Sequence, residues 1–219
     1  MTVATNPPPQ QRPLSVDEFL SRYGGDNRYE LIDGEVFDLE PTGPHVRVAA
    51  PMEQQVAGFI TKKACVQIDL ADLPWVILQR PLFRPPNIDM TAFRPDVAVI
   101  DETALNNEPL WHEQSILTQS SSIKLIAEVV SSNWQNDYSR KLEDYETLGI
   151  PEYWIADYGG IGGTRHIGSP KRPTLSICTL ENGRYQIQQF RGDNLIVSPT
   201  FPGLTLTANQ VLRAERSID

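Results

Sequence analysis

The sequence predicts a mixed α/β (α+β) fold: a mixed β-sheet core flanked by helices, with β-hairpins added at both ends. Three observations predict it. Short apolar runs at 75–78, 97–100 and 123–130 read as buried strands. A segment of helical periodicity at 136–148 separates the last run from another at 153–157, which makes a strand–helix–strand unit. Asp33-Gly34 and Asn182-Gly183 are hairpin-turn signals between apolar flanks.

Residues 1–13 are polar and proline-rich, so a disordered or extended arm is expected there, followed by a single domain over 14–219. Ser15-Val16-Asp17-Glu18 is a capping box that starts a helix, and Gly24-Gly25 ends it. Residues 29–39 form the first hairpin. A helix is expected from Pro44 to about Lys63, with Val46, Ala49, Ala50, Val56, Phe59 and Ile60 as its apolar face. Pro51 either kinks this helix or begins it. Segment 106–122 reads as a polar connection of undefined structure. Gly149-Ile150-Pro151 stops the 136–148 helix. The glycine-rich stretch 159–163 reads as a flexible loop. Strands near 174–180 and 184–190 form the second hairpin, and a short helix near 208–214 follows.

With 219 residues, 40% hydrophobic, the chain can bury one substantial core, and no internal linker divides it. The net charge of -9 makes non-specific nucleic-acid binding unfavourable, so such a role needs a local basic surface or a metal site. Cys65 and Cys178 are isolated, without metal-ligand spacing, and read as small core residues in a reducing compartment before they read as a disulfide. No signal-peptide pattern or membrane-spanning run is visible, so a cytoplasmic location is expected.

The chemistry centres on Glu128, an acid inside the apolar run Ile123-Lys124-Leu125-Ile126-Ala127-Glu128-Val129-Val130. An ionised carboxylate there costs several kcal/mol unless a cation or hydrogen bonds compensate it. On the 136–148 helix, Tyr138, Leu142, Tyr145 and Leu148 form a core-facing stripe, and Lys141 falls within it. Arg140, Glu143, Asp144 and Glu146 fall mostly outside. Lys141 therefore either points at the sheet, or snorkels along the helix edge, or pairs with Asp137 one turn earlier. Asp96, in Arg94-Pro95-Asp96, sits where an extended segment enters a buried strand, which also suits a plain turn residue. Glu30 alternates onto the face of Ile32, which is either a site face or the solvent face of a hairpin. Carboxylates and a lysine without a Cys/His cluster suit a hard divalent cation better than structural zinc.

These residues resemble a known family. Pro95-Asp96, Glu128 and Lys141 look like a PD-(D/E)XK nuclease site with a migrated lysine. A fuller ordered set carries the likeness: Tyr29-Glu30-Leu31-Ile32-Asp33-Gly34-Glu35, His45 after Gly43-Pro44, Arg94-Pro95-Asp96-Val97, Glu128-Val129-Val130-Ser131, Asp137…Lys141…Tyr145, and Gly149-Ile150-Pro151-Glu152-Tyr153-Trp154. Over roughly 14–190 the chain resembles the Uma-type endonuclease family, and the resemblance implies a restriction-endonuclease-like fold. It further implies Asp96 and Glu128 as ligands of Mg2+ (or Mn2+), Lys141 assisting the attacking water, Glu30 as an additional acid, and DNA as substrate. Val130 stands where the usual lysine lies, so Lys141 is its substitute. His45 touches substrate, or the residues that support the site, or is simply a polar residue at a helix entry. A homodimer is compatible with cutting both strands of a duplex.

A reading from a different class is a catalytically silent nuclease-fold module that binds a partner, which the net charge of -9 motivates. A metal-dependent hydrolase of a smaller phosphate ester is a third.

Overall fold

The structure is a computed structural model and describes residues 12–39 and 49–214. Its elements run α1 (Val16–Tyr23), β1 (Tyr29–Ile32), β2 (Glu35–Asp38), α2 (Ala49–Leu70), β3 (Trp75–Gln79), β4 (Leu82–Phe83), β5 (Val97–Asp101), α3 (Glu102–Leu105), α4 (Trp111–Gln114), β6 (Ile116–Leu117) and β7 (Ile123–Val129). After a π-helical turn (Asn136–Arg140) come α5 (Lys141–Leu148), β8 (Glu152–Asp157), α6 (Thr164–Ile167), β9 (Thr174–Glu181), β10 (Arg184–Phe190) and α7 (Ala208–Leu212).

Six strands form the main sheet in the order β10-β9-β8-β7-β5-β3. β7 and β8 are parallel, joined by the α5 crossover, and the other pairs are antiparallel. The sheet is thus mixed and carries helices on both faces. Leu125, Ala127 and Val129 of β7 face α2 and α7, joining Val56, Ile60, Ala64 and Ile68, which recur every four residues along α2. Ile126 faces the other way, into a cluster with Tyr138, Tyr145, Tyr153 and Phe93. Burying each Val, Leu or Ile side chain contributes roughly 1.5–3 kcal/mol, so both faces of the central strand are strongly determined.

Local signals explain the boundaries. Ser15 Oγ accepts from the Glu18 amide at 3.2 Å while the Glu18 carboxylate accepts from the Ser15 amide at 3.0 Å, the expected capping box. Asp33-Gly34 and Asn182-Gly183 both hold two successive positive φ angles, which the tight turns of their hairpins require. Gly149, at φ 78°, ends α5 in the left-handed conformation, and the Ile150 amide reaches back to the Tyr145 carbonyl.

Several details differ from the sequence reading. Pro51 lies in the first turn of α2, where its missing N–H deprives no intrahelical bond, and the helix continues to Leu70. The start of that segment, including Val46 and His45, lies outside the described residues, as does most of the N-terminal arm. The connection 106–122 is structured by one buried acid. Glu108 accepts bonds from the Thr118 amide and hydroxyl, the Gln119 amide and the Ser122 hydroxyl, and β6 pairs with β4 beside it. The 159–163 loop is tied down by Asp157, which accepts from the Ile161 and Gly162 amides at 3.0 and 2.9 Å. Cys178 is buried, whereas Cys65 is exposed on α2, and both are free thiols. Among the described residues no helix is long and apolar enough to cross a membrane.

Candidate functional site

Glu128 occupies the penultimate position of β7, between β5 and β8, and is 3% exposed. Strand alternation turns it to the α5 face. The wide turn at 136–140 leads into α5 so that Lys141 and Tyr145, one helical turn apart, both reach it. Lys141 Nζ lies 3.1 Å from Glu128 Oε1, and the Tyr145 hydroxyl donates to the same oxygen at 3.0 Å. π-helical turns of this kind occur often at functional sites.

Lys141 is the hub of the cluster. Its ammonium also meets Glu30 Oε1 at 3.1 Å and Asp137 Oδ1 at 3.6 Å. Glu30 is 2% exposed, so the hairpin face carrying it is turned inward rather than to solvent. The second Glu30 oxygen accepts from the Arg94 amide at 3.2 Å. Arg94 anchors this junction by donating to the carbonyls of Gly24, Tyr29 and Arg80.

Asp96 lies across the β5–β7 edge. Its Oδ2 accepts from the Val129 amide at 2.9 Å, and its own amide donates to Glu128 Oε2 at 3.4 Å. Arg80 Nε stands 3.5 Å from Asp96 Oδ1, on a residue held at φ 48°. Each of Asp96 and Glu128 therefore has one firmly bonded oxygen and one in looser contact. Both acids line a small cleft with Glu30, Asp137, Lys141 and Asn136.

Charge explains the electrostatics. Five carboxylates, those of Glu30, Asp38, Asp96, Glu128 and Asp137, line the cleft with two cations, Lys141 and Arg80; Glu30, Glu128 and Asp137 lie beside Lys141, and Asp96 beside Arg80. Burial pushes the Glu128 carboxyl well above the usual range; Lys141 opposes this, and Asp96, Asp137 and Glu30 reinforce it. Asp137 is raised to about 7, again by burial, with Lys141 opposing. Burial by itself lowers Lys141, but the surrounding acids, Glu128 first, outweigh it and raise the ammonium well above its usual value. Burial, then the Glu128 charge, raises Tyr145, so its hydroxyl remains a donor.

The structure brings together Glu30, Asp96, Glu128 and Lys141. His45 lies outside the described residues. Lys141 points at the sheet and does not snorkel along the helix edge, being 3% exposed, and it still reaches Asp137. Sequence reasoning named Tyr145 as core and as part of the family pattern but gave it no role at Glu128, and passed over Arg80, which no local pattern singles out. Among the described residues no group of three His, Cys, Asp or Glu side chains is arranged to hold a metal ion.

The chain matches, over residues 16–209, the family described as "Uma2: Putative restriction endonuclease". A similar solved structure is described as "a putative nuclease belonging to DUF820 from Anabaena variabilis ATCC 29413". The two share 14% identity with a TM-score of 0.67, over 92% of this chain and 99% of that one, a likeness of fold. No curated protein matches the chain significantly.

Proposed function

The chain belongs to the Uma2 family of restriction-endonuclease-like proteins, and from that membership we propose that it is a magnesium-dependent DNA endonuclease. The observation that carries the proposal is the convergence of Glu30, Asp137 and Glu128 on the Lys141 ammonium, with Asp96 bonded across the strand edge beside them.

In this reading Asp96 and Glu128 hold Mg2+, or Mn2+ in its place. The donor set fits such an ion. Magnesium takes one or two carboxylates and keeps several waters, so it needs no closed protein cage. Asp96 and Glu128 offer one loosely engaged oxygen each, and the acids lining the cleft outnumber its cations by five to two. When bound, the ion would supply Lewis-acid polarisation of the phosphate and a lowered pKa for water. Lys141 remains an ammonium at neutral pH, so it serves as a hydrogen-bond donor and a positive charge, holding water or a phosphate oxygen, and not as a base. Glu30 fixes Lys141 from the hairpin side, and Tyr145 fixes Glu128 from the helix side.

The test is cleavage of plasmid DNA with magnesium or manganese, with calorimetry of the same ions. Activity and ion uptake by the native protein, with cleavage reduced at least about a hundredfold in Glu128→Ala and Lys141→Ala, would support the reading. Undiminished cleavage in both variants would reject the site. The net charge of -9 favours a second reading, a silent binding module of the same fold. It predicts neither cleavage of any nucleic acid nor ion uptake.

A further inference from the structure

Between Asp157 and Glu181 the chain carries no acidic residue, yet it carries Arg165, Lys171 and Arg172, beside His166, whose imidazole is held below its ordinary pKa by burial first and then by Arg165. In a chain of net charge -9 this is a local basic surface. Arg165, Lys171 and Arg172 are exposed. The Lys171 ammonium donates to the Ile161 carbonyl and lies 6.0 Å from the Trp134 ring centroid. His166 stacks on Tyr138 at 5.1 Å and meets the Trp134 ring edge-on at 6.1 Å. Cations and aromatic rings thus interleave, a combination that suits the charged backbone and flat bases of a nucleic acid.

Position matters as much as composition. The basic loop leaves the sheet after β8, whose Ile155 pairs with Glu128 of β7, so it emerges at the same end of the sheet as the cleft. The segment that places Asn133 and Asn136 in the cleft lining places Trp134 against the basic loop. The loop is also held in shape. A Cβ on Gly162 would come within 2.8 Å of the Tyr138 ring, and one on Gly163 within 2.9 Å of Trp134. Asp157 bonds the loop backbone from below.

We propose that this surface is the track for the nucleic-acid strand flanking the cleft, with phosphates on Arg165, Lys171 and Arg172 and a base or sugar against Trp134. The choice of a nucleic acid as occupant rests on the nuclease reading; the charge and the rings are independent of it. The surface also explains how so acidic a protein engages a polyanion, since attraction is local and net charge is a poor guide to it.

Fluorescence anisotropy with labelled single-stranded and duplex DNA oligonucleotides, in EDTA and across a salt series, tests the proposal. The R165Q/K171Q/R172Q variant should bind at least about tenfold more weakly, and its salt slope should fall by about 0.7–0.9 per phosphate contact removed. Trp134→Ala should weaken single-strand binding by about fivefold or more. Lys62→Gln, at an exposed position of α2, should change neither. A melting curve checks the triple variant; if it does not fold, the single Arg165→Gln and Arg172→Gln variants should each still reduce affinity.

Absence of binding by the native protein at low salt overturns the proposal, as does an unchanged affinity and salt slope in the folded variants. Displacement of DNA by polyglutamate with equal potency would point to an acidic-peptide site and also overturn it. Cleavage by a protein whose binding ignores these substitutions rejects this surface and keeps the nuclease reading. Binding that depends on them, without cleavage, does the reverse.

Discussion

Tyr145 donates its hydroxyl to Glu128 Oε1 at 3.0 Å from inside a wall of aromatic rings. The ring packs edge-on against Phe93 and Tyr153, so the hydroxyl has little freedom to choose another partner. Tyr145→Phe keeps this packing and removes one bond to a charged acceptor. A stability loss of about 1.5–3 kcal/mol in urea titrations is expected. In the proposed endonuclease, cleavage should also fall by about tenfold, because Glu128 would be less firmly oriented.

Lys141 compensates several buried acids at once. Lys141→Met removes the compensation and leaves charge buried, which costs about 3–5 kcal/mol at pH 8. The acids of the variant are then pushed further upward. Stability lost by a raised carboxyl is lost as pH rises through its folded pKa, so the variant should recover most of its stability at pH 5. Denaturation at the two pH values checks this. Lys141→Met combined with Glu128→Gln should be more stable at pH 8 than Lys141→Met alone.

Asp137 provides a pH signature in the native protein. Its carboxyl is raised from 3.8 to about 7 by burial. Its contribution is fully present below the unfolded value near 3.8 and disappears as pH rises through about 7. Thermal melts should therefore show stability declining from pH 5 to pH 8. Asp137→Asn should flatten that decline, by an amount on the order of 2–4 kcal/mol. If magnesium binds the cleft as proposed, its addition should also reduce the decline, because added positive charge favours the ionised acid.

Glu108 separates structural from functional acids. It is 3% exposed, holds the 106–122 connection through several donors and does not line the cleft. Glu108→Ala should lower stability by about 3 kcal/mol through orphaned donors. Cleavage per folded molecule, assayed well below the melting temperature, should stay near the native level.

The two kinds of acid looked different in the sequence for sound reasons. Glu128 stood out because it interrupts an apolar strand, and an interruption is visible in one dimension. Glu108 lies in a polar connection, where an acid is unremarked until its donors from Thr118 to Ser122 fold back on it. The 136–148 helix was legible in the same partial way. Its period directed Lys141 and Tyr145 inward, and both are buried. It also directed Asp144 outward, whereas Asp144 is 9% exposed with its Oδ2 3.1 Å from Arg140 Nε. The π-helical turn before α5 inserts an extra residue, and the buried positions of α5 are Lys141, Asp144 and Tyr145, with Leu142 and Leu148 packed only partly against the core. A regular 3.6-residue period cannot represent that insertion.

The sequence by itself determined the mixed fold class, the hairpin turns, the capped first helix, Glu128 as an acid needing compensation and Lys141 on the core-facing stripe. These follow from local chemistry: turn geometry, side-chain caps, helical period and the cost of an acid among apolar neighbours. Asp96 and Glu30 became candidates through the family resemblance, since local pattern alone also suited a turn residue and a solvent face. Only the tertiary structure decided that Glu30 faces Lys141 and not solvent, that Tyr145 is a donor as well as core, and that Arg80 stands beside Asp96. Each depends on how the β1–β2 hairpin, the β5–β7 edge and α5 pack together across long separations in the chain. Packing of that kind is set by mutual exclusion of volume among distant elements, and no local pattern encodes it.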